Sequence, residues 1–412
     1  LIGVHALDPD QDFTAEVWLL MPTPSSLRFA LFCHSIISDW NHGNAHFLRG
    51  LIRSLQRMGH SVIALEEEGN WSLSNLLRDH GPATVQEFQR RFPFIDHENY
   101  VLGGRAHLEG WLTDLLQQVD VCLVHEWNPP ELVKAIGETA SRLGVTAIFH
   151  DTHYRALTEP DRIRQMGLES YSAILAYGPT IAEIYRRSVS GPEVVVYHEG
   201  ADTDLFRPLA LPKSRDVVFV GNWGDDDRNQ STRQNFIDQS RALPDLSFSL
   251  FGVRYPREVL AELQDAGVSF GGWLPNYLAP KMYAASRMTV HIPRKEYLQT
   301  LTGTPTIRVF EALACGIPLV SAGWRDNGEL FTEGGDYLSV DSPSQMTEAL
   351  RWLASDLTAR ERIGSQGRAT ILARHTCRHR AEELVEVVER LRGTPSSPEF
   401  LQVHPFPASE QL

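Results

Sequence analysis

The chain has 412 residues, and at about 100–200 residues per domain that allows two or three domains with sizeable cores. Hydrophobic residues make up 42% and charged residues 22%, which excludes wholesale disorder, and a net charge of −14 argues against a general nucleic-acid binder. No apolar run approaches the roughly 20 residues of a membrane helix, so no transmembrane segment is expected.

Residues 1–26 carry Asp8, Asp10, Asp12 and Glu16 but no Lys or Arg. A secretory signal opens on basic residues, so this stretch reads as an extension outside the fold, with Met21 as the start. From Leu27 the chain alternates short apolar runs with helical stretches. LRFALFC, Leu27 to Cys33, is a first strand. Phe47, Leu48, Leu51, Ile52, Leu55 and Met58 then form one helical stripe, closed by Gly59. Further strands are expected at Ser61 to Leu65, Val119 to His125, Val145 to His150, Ser172 to Tyr177 and Glu193 to His198. Near-continuous apolar strands between helices imply a parallel sheet covered on both faces. Residues 27–200 are thus a first Rossmann-like α/β domain, and 201–215, with Pro208 and Pro212, a linker.

The rhythm restarts at Asp216 to Gly221, with strands at Leu246 to Gly252, Val268 to Gly272, Met288 to Pro293, Pro318 to Ala322 and Asp336 to Val340. Residues 216–375 are a second doubly wound domain and 376–392 a terminal amphipathic helix. The Pro-rich residues 393–412 read as a disordered tail. Two such lobes make a cleft, and ligands bind at the carboxyl ends of their strands. Cys33, Cys122, Cys315 and Cys377 are far apart, the first three in or beside apolar runs. They read as free thiols in a reducing, cytoplasmic setting. Only Lys134, Lys213, Lys281 and Lys295 are lysines among the 38 basic residues, so a phosphate grip should use guanidinium groups.

The most informative stretch is GTPTIRVFEALACGIPLVS, Gly303 to Ser321. Thr304 suits an N-cap and Pro305 the first helical position. Thr304, Arg308, Glu311 and Cys315 share one stripe, opposite Ile307, Val309, Phe310, Leu313 and Ala314. The free N–H groups of such a helix start attract an anion. Glu311, about 10 Å along, is then placed for the ribose hydroxyls. The blander reading of the same stripe is an exposed face with an Arg308–Glu311 ion pair.

This segment resembles the donor-binding signature of GT-B glycosyltransferases, closest to the CgeB-like, glycosyl transferases group 1 type. SDWNHGNAHFLRGLIRSLQRMGHSV (Ser38 to Val62), HEGADTDLFRP (His198 to Pro208) and VVFVGNW (Val217 to Trp223) resemble further family segments in the same order. The resemblance implies transfer of a sugar from a nucleotide diphosphate donor to an acceptor hydroxyl, without metal or other cofactor and with retention of configuration. It places Gly221, Asn222, Arg228, Arg254, Gly303, Thr304, Pro305, Arg308 and Glu311 on the donor. The loop Asn41, His42 and Gly43 falls on the acceptor side, and His150 and Asp151 at the reacting carbon. Two departures stand out: Gly303 occupies a position where related enzymes carry a first glutamate, and no Lys follows Asn222.

A metal held by His150, Asp151 and His153 is less fitting than loop hydrogen bonding, and Asp225 to Asp227 read as a solvated turn rather than a metal-binding aspartate pair. The loop His34 to Gly43 lacks the Gly-x-Gly-x-x-Gly of a dinucleotide site. Two rivals share the two lobes: a nucleotide-sugar epimerase, which needs no acceptor, and an inactive nucleotide-sugar-binding protein. The acceptor is not readable from the sequence.

Overall fold

The computed structural model describes residues 26–224, 226–327 and 329–393. The expected extension up to residue 25, the tail from residue 394 and Asp225 lie outside the described residues. The first lobe is a parallel seven-stranded sheet of β1 (Arg28–Phe32), β2 (Ser61–Glu67), β3 (Asp96–Tyr100), β4 (Val121–His125), β5 (Thr146–Asp151), β6 (Ala173–Ala176) and β7 (Glu193–Val196), in the order β3-β2-β1-β4-β5-β6-β7. The central strands are buried on both faces, as their unbroken apolar runs require. Leu31, Phe47, Leu51 and Leu55 pack on one face, and Phe32, Val124, Leu132 and Phe149 on the other.

Strand β3 was not expected, because DHENY has no apolar pattern. It lies at the sheet edge, where pairing with Ile63 to Glu67 holds it through the backbone, and only Tyr100 is buried.

The second lobe is a parallel six-stranded sheet of β8 (Arg215–Val220), β9 (Phe248–Phe251), β10 (Val268–Phe270), β11 (Ser286–His291), β12 (Leu319–Ala322) and β13 (Leu338–Val340), in the order β10-β9-β8-β11-β12-β13. The terminal helix Cys377–Leu391 returns to the first lobe and packs on the helix Ala45–Arg57. The Tyr197 hydroxyl donates to the Arg380 carbonyl (2.7 Å), and Ala201 bridges to Thr376. The chain therefore crosses between the lobes twice, which ties them at one end of the cleft.

Across the cleft the first lobe's loops touch the second. The Asn276 N–H donates to Asp39 Oδ2 (3.0 Å), and Asn222 Nδ2 donates to Asn41 Oδ1 (2.6 Å). All four cysteines are buried free thiols, and no helix among the described residues is long and apolar enough to cross a membrane.

Candidate active site

In the second sheet the chain runs outward from β8 through β9 to β10, then returns to place β11 on the other side of β8. This reversal of strand order opens a crevice at the strands' carboxyl ends. A cavity of about 150 Å³ lies there. The second lobe lines it with Val220, Arg228, His291, Arg294, Tyr297 and Arg308; the first lobe adds His153 and Tyr154. Among the described residues three guanidinium side chains and no carboxylate line the cavity, which makes it suited to an anion.

Arg308 is the second residue of the helix Ile307–Ala314. The helix begins later than Thr304 and Pro305 suggest, and Thr306 is its N-cap residue. Thr304 is held in a turn instead: its N–H donates to the Leu301 carbonyl (3.0 Å), and its own carbonyl accepts from Trp324 Nε1 (2.9 Å). The Thr306 hydroxyl lies 2.9 Å from His291 Nε2, and His291 Nδ1 lies 2.9 Å from Ser321 Oγ. Burial takes His291 down to about 3, so it stands neutral on the cavity wall.

Glu311 is 0% exposed and does not line the cavity. Arg308 Nη1 donates to its Oε2 (2.5 Å), and His46 Nδ1, on the first lobe's Ala45–Arg57 helix, lies 3.0 Å from its Oε1. That nitrogen also lies 3.2 Å from the Gly43 carbonyl, and two acceptors around it assign the proton to Nδ1. Burial alone would raise the Glu311 carboxyl, but Arg308 and His46 hold it below the ordinary value. The Arg308–Glu311 pair is therefore real, and it is a buried knot between the lobes rather than an exposed face.

In the first lobe the cavity receives His153, not His150. His150 is 1% exposed, packed among Phe47, His125 and Tyr197. Asp151 accepts from the Tyr185 hydroxyl (2.6 Å) and the His153 N–H (2.8 Å), so it braces the turn that presents His153. Burial raises Asp151 to about 6 and lowers His150 and His153 to about 3. His34, His42, His125 and His150 form a row with ring centres 5.7, 6.2 and 5.6 Å apart, each kept neutral chiefly by burial.

The loop carrying Asn41, His42 and Gly43 is fixed by two buried charges. Glu66 accepts from the Ile36 N–H (2.6 Å) and the Ser35 hydroxyl (3.0 Å), while Arg49 donates to the Ile36 and Ile37 carbonyls (2.9 and 2.8 Å). Asn41, with φ of 50°, and the Gly43 carbonyl, which accepts from Asn276 Nδ2 (3.2 Å), contact the second lobe.

Of the expected donor residues, Arg228 and Arg308 line the cavity, and Gly221 and Asn222 lie beside it without lining it. The Gly221 carbonyl accepts from the Tyr255 hydroxyl (2.9 Å), and Asn222 Oδ1 accepts from the Val253 N–H (3.0 Å). Arg254 is exposed, with φ of 70°, and lies off the cavity. Asp226 and Asp227 open the helix Asp226–Thr232 rather than forming a turn, and Asp227 pairs with Lys295 (2.6 Å). Arg294 was missed. It follows β11 in HIPRKEY, and the carboxyl-end rule applied to that strand points to it.

The sequence profile of the family described as glycosyl transferase-like matches residues 228–386, most of the second lobe. No curated protein sequence matches the chain. Among solved structures, HepE of Anabaena in complex with UDP-glucose is 14% identical at a TM-score of 0.65, covering 88% of this chain and 100% of its own. S. aureus TarM, solved with UDP, fondaparinux and α-GlcNAc-glycerol, is 6% identical at a TM-score of 0.65, covering 88% and 99%. Sucrose-phosphate synthase from Thermosynechococcus elongatus is 14% identical at 0.63, covering 90% and 100%. With its two facing parallel-sheet lobes the chain has the GT-B fold of these solved structures, and its second lobe is similar to the glycosyl transferase-like family.

Proposed function

We propose that the protein transfers a sugar from a nucleoside diphosphate donor to an acceptor hydroxyl. The observation that carries this reading is the cavity at the strand reversal, lined by Arg228, Arg294 and Arg308 and, among the described residues, by no carboxylate. As the sugar–phosphate bond breaks, negative charge grows on the leaving diphosphate, and guanidinium groups already in place stabilise it without reorganising. Uridine is the base we propose, since HepE and TarM were solved with uridine nucleotides. The order of the sequence motifs supports a place near the CgeB-like group.

Glu311 orients Arg308 toward the cavity, and a ribose would reach its carboxylate only after His46 lets go. His153 is the first-lobe side chain at the reacting end, in place of His150. Held neutral, it offers a hydrogen bond to the acceptor or the sugar. With no carboxylate among the described wall residues to act as base or nucleophile, the leaving diphosphate is the base that takes the acceptor's proton, in keeping with retention. Arginines meet the diphosphate directly and Asp227 is committed to Lys295, which supports turnover without a metal.

The test is release of UDP from UDP-sugars, with and without an acceptor panel, in the presence of EDTA. Acceptor-dependent release supports transfer. Conversion of the donor sugar without acceptor would identify an epimerase, and activity lost to EDTA and restored by manganese would overturn metal independence.

A further inference from the structure

Three buried polar atoms on the seam behind the cavity take no part in the arrangement above. Glu199 is 4% exposed, and its Oε1 has no hydrogen-bond partner. Thr304 is 0% exposed with its Oγ1 unpartnered. The Tyr177 hydroxyl, also buried, has only the Tyr297 side chain beside it as a partner. Buried polar groups in folded proteins are nearly always partnered, so Glu199 and Thr304 on one seam, with the Tyr177 hydroxyl next to them, call for a ligand.

The fold brings them together from separate segments. Tyr177 directly follows β6 and Glu199 lies three residues beyond β7. Ala176 is in register with Val196, and the Tyr197 N–H donates to the Ala176 carbonyl (2.7 Å), which sets both residues on one sheet edge. Gly178, next in the chain, abuts Thr304 of the other lobe: a Cβ there would fall 2.5 Å from Thr304 Oγ1. The Tyr177 ring lies 6.3 Å from that of Tyr297, which lines the cavity. Glu199 sits in the field of Glu311 and Arg308, and burial together with the Glu311 charge favours its neutral form.

A neutral carboxyl and two hydroxyls each donate and accept, which matches the hydroxyls of a sugar ring and not a phosphate. Gly303 cannot supply such a group. Its φ is 84°, and a Cβ there would run into the Asn327 side chain. Resting on the donor reading above, we infer that Glu199, Thr304 and Tyr177 form the subsite that reads the hydroxyls of the donor's sugar. The acid absent at Gly303 is then provided from the first lobe.

The experiment is calorimetric titration of UDP, UDP-glucose, UDP-galactose and UDP-N-acetylglucosamine into wild type, Glu199→Gln and Tyr177→Phe, with melting temperatures of the unliganded proteins. In Glu199→Gln, the preference for the tightest UDP-sugar over UDP should shrink about tenfold, while UDP affinity stays within about twofold. Tyr177→Phe should shrink it less and leave the melting temperature nearly unchanged, since it deletes a hydroxyl whose partner in the unliganded protein is the Tyr297 side chain alone. Equal losses for UDP and UDP-sugar, or an unchanged preference in both variants, would overturn the subsite. A lowered melting temperature in Tyr177→Phe would assign that hydroxyl a structural role instead. Failure of wild type to bind UDP would overturn the donor reading itself, and this inference with it.

Discussion

At the carboxyl edge of the first sheet stand His34, His42, His125, His150 and His153. At the same edge of the second stand Arg228, Arg294 and Arg308. Both lobes are doubly wound parallel sheets, so strand topology does not account for the difference. Guanidinium groups keep their charge when partly buried, whereas burial strips imidazoles of theirs. The second lobe thus lines the cavity with fixed positive charge, while the first lobe brings a neutral His153 to it and keeps His42, His125 and His150 buried off it.

The largest expected effect comes from acid. The five first-lobe histidines have folded pKa values below the ordinary 6.5, at about 4 for His34 and about 3 for His150 and His153. A depressed value contributes stability that is present above 6.5 and lost as pH falls toward the folded value. Asp151 and Glu126, raised by burial to about 6 and about 8, run the other way, as do Glu66, Glu199 and Asp202. His198, His291 and His375, lowered by burial, add to the histidine side. From pH 7 to pH 5 the unfolding free energy should fall by more than about 2 kcal/mol, and His42→Asn should blunt that slope. Urea denaturation at both pH values checks it; a flat profile would mean the histidines are not held neutral.

Next, the two histidines of β5 and its following turn should separate. His150→Ala should cost roughly 1–3 kcal/mol of stability, because it empties a site walled by Phe47, His125 and Tyr197. His153→Ala should leave stability nearly unchanged and lower transfer rate about tenfold or more, with UDP affinity kept. Melting curves and steady-state kinetics on both variants decide it. A rate loss confined to His150→Ala would return the reacting position to His150.

How far the sequence reveals this site depends on which physical force places each residue. The strands of both sheets are legible because burial on both faces demands unbroken apolar runs, and β3 is not, because an edge strand needs only backbone pairing. Arg308 was visible on the motif helix. The helix start was misplaced by two residues because threonines flank Pro305, and the tertiary contacts of Thr304 with Leu301 and Trp324 hold the first of them outside the helix. Arg294 lies far along the chain from Arg228, and only the strand reversal joins them. His150 and His153 cannot be told apart from spacing alone, since the choice depends on where β5 ends and Asp151 turns the chain.

The smallest expected effect is a null one. Arg254→Ala should leave UDP affinity within about twofold, because the side chain is exposed and away from the cavity. A large loss by titration would enlarge the second lobe's charged rim beyond the three arginines.

The account's central claim is that the second lobe grips a diphosphate through arginines at the strand reversal. Calorimetric titration of UDP and of uridine into wild type and an Arg228→Ala, Arg294→Ala double variant tests it most directly. UDP should bind wild type far more tightly than uridine does, and the double variant should lose about a hundredfold or more for UDP alone, at two charge-assisted contacts of ~1.5–3 kcal/mol each. Equal UDP affinity in wild type and double variant would contradict the claim.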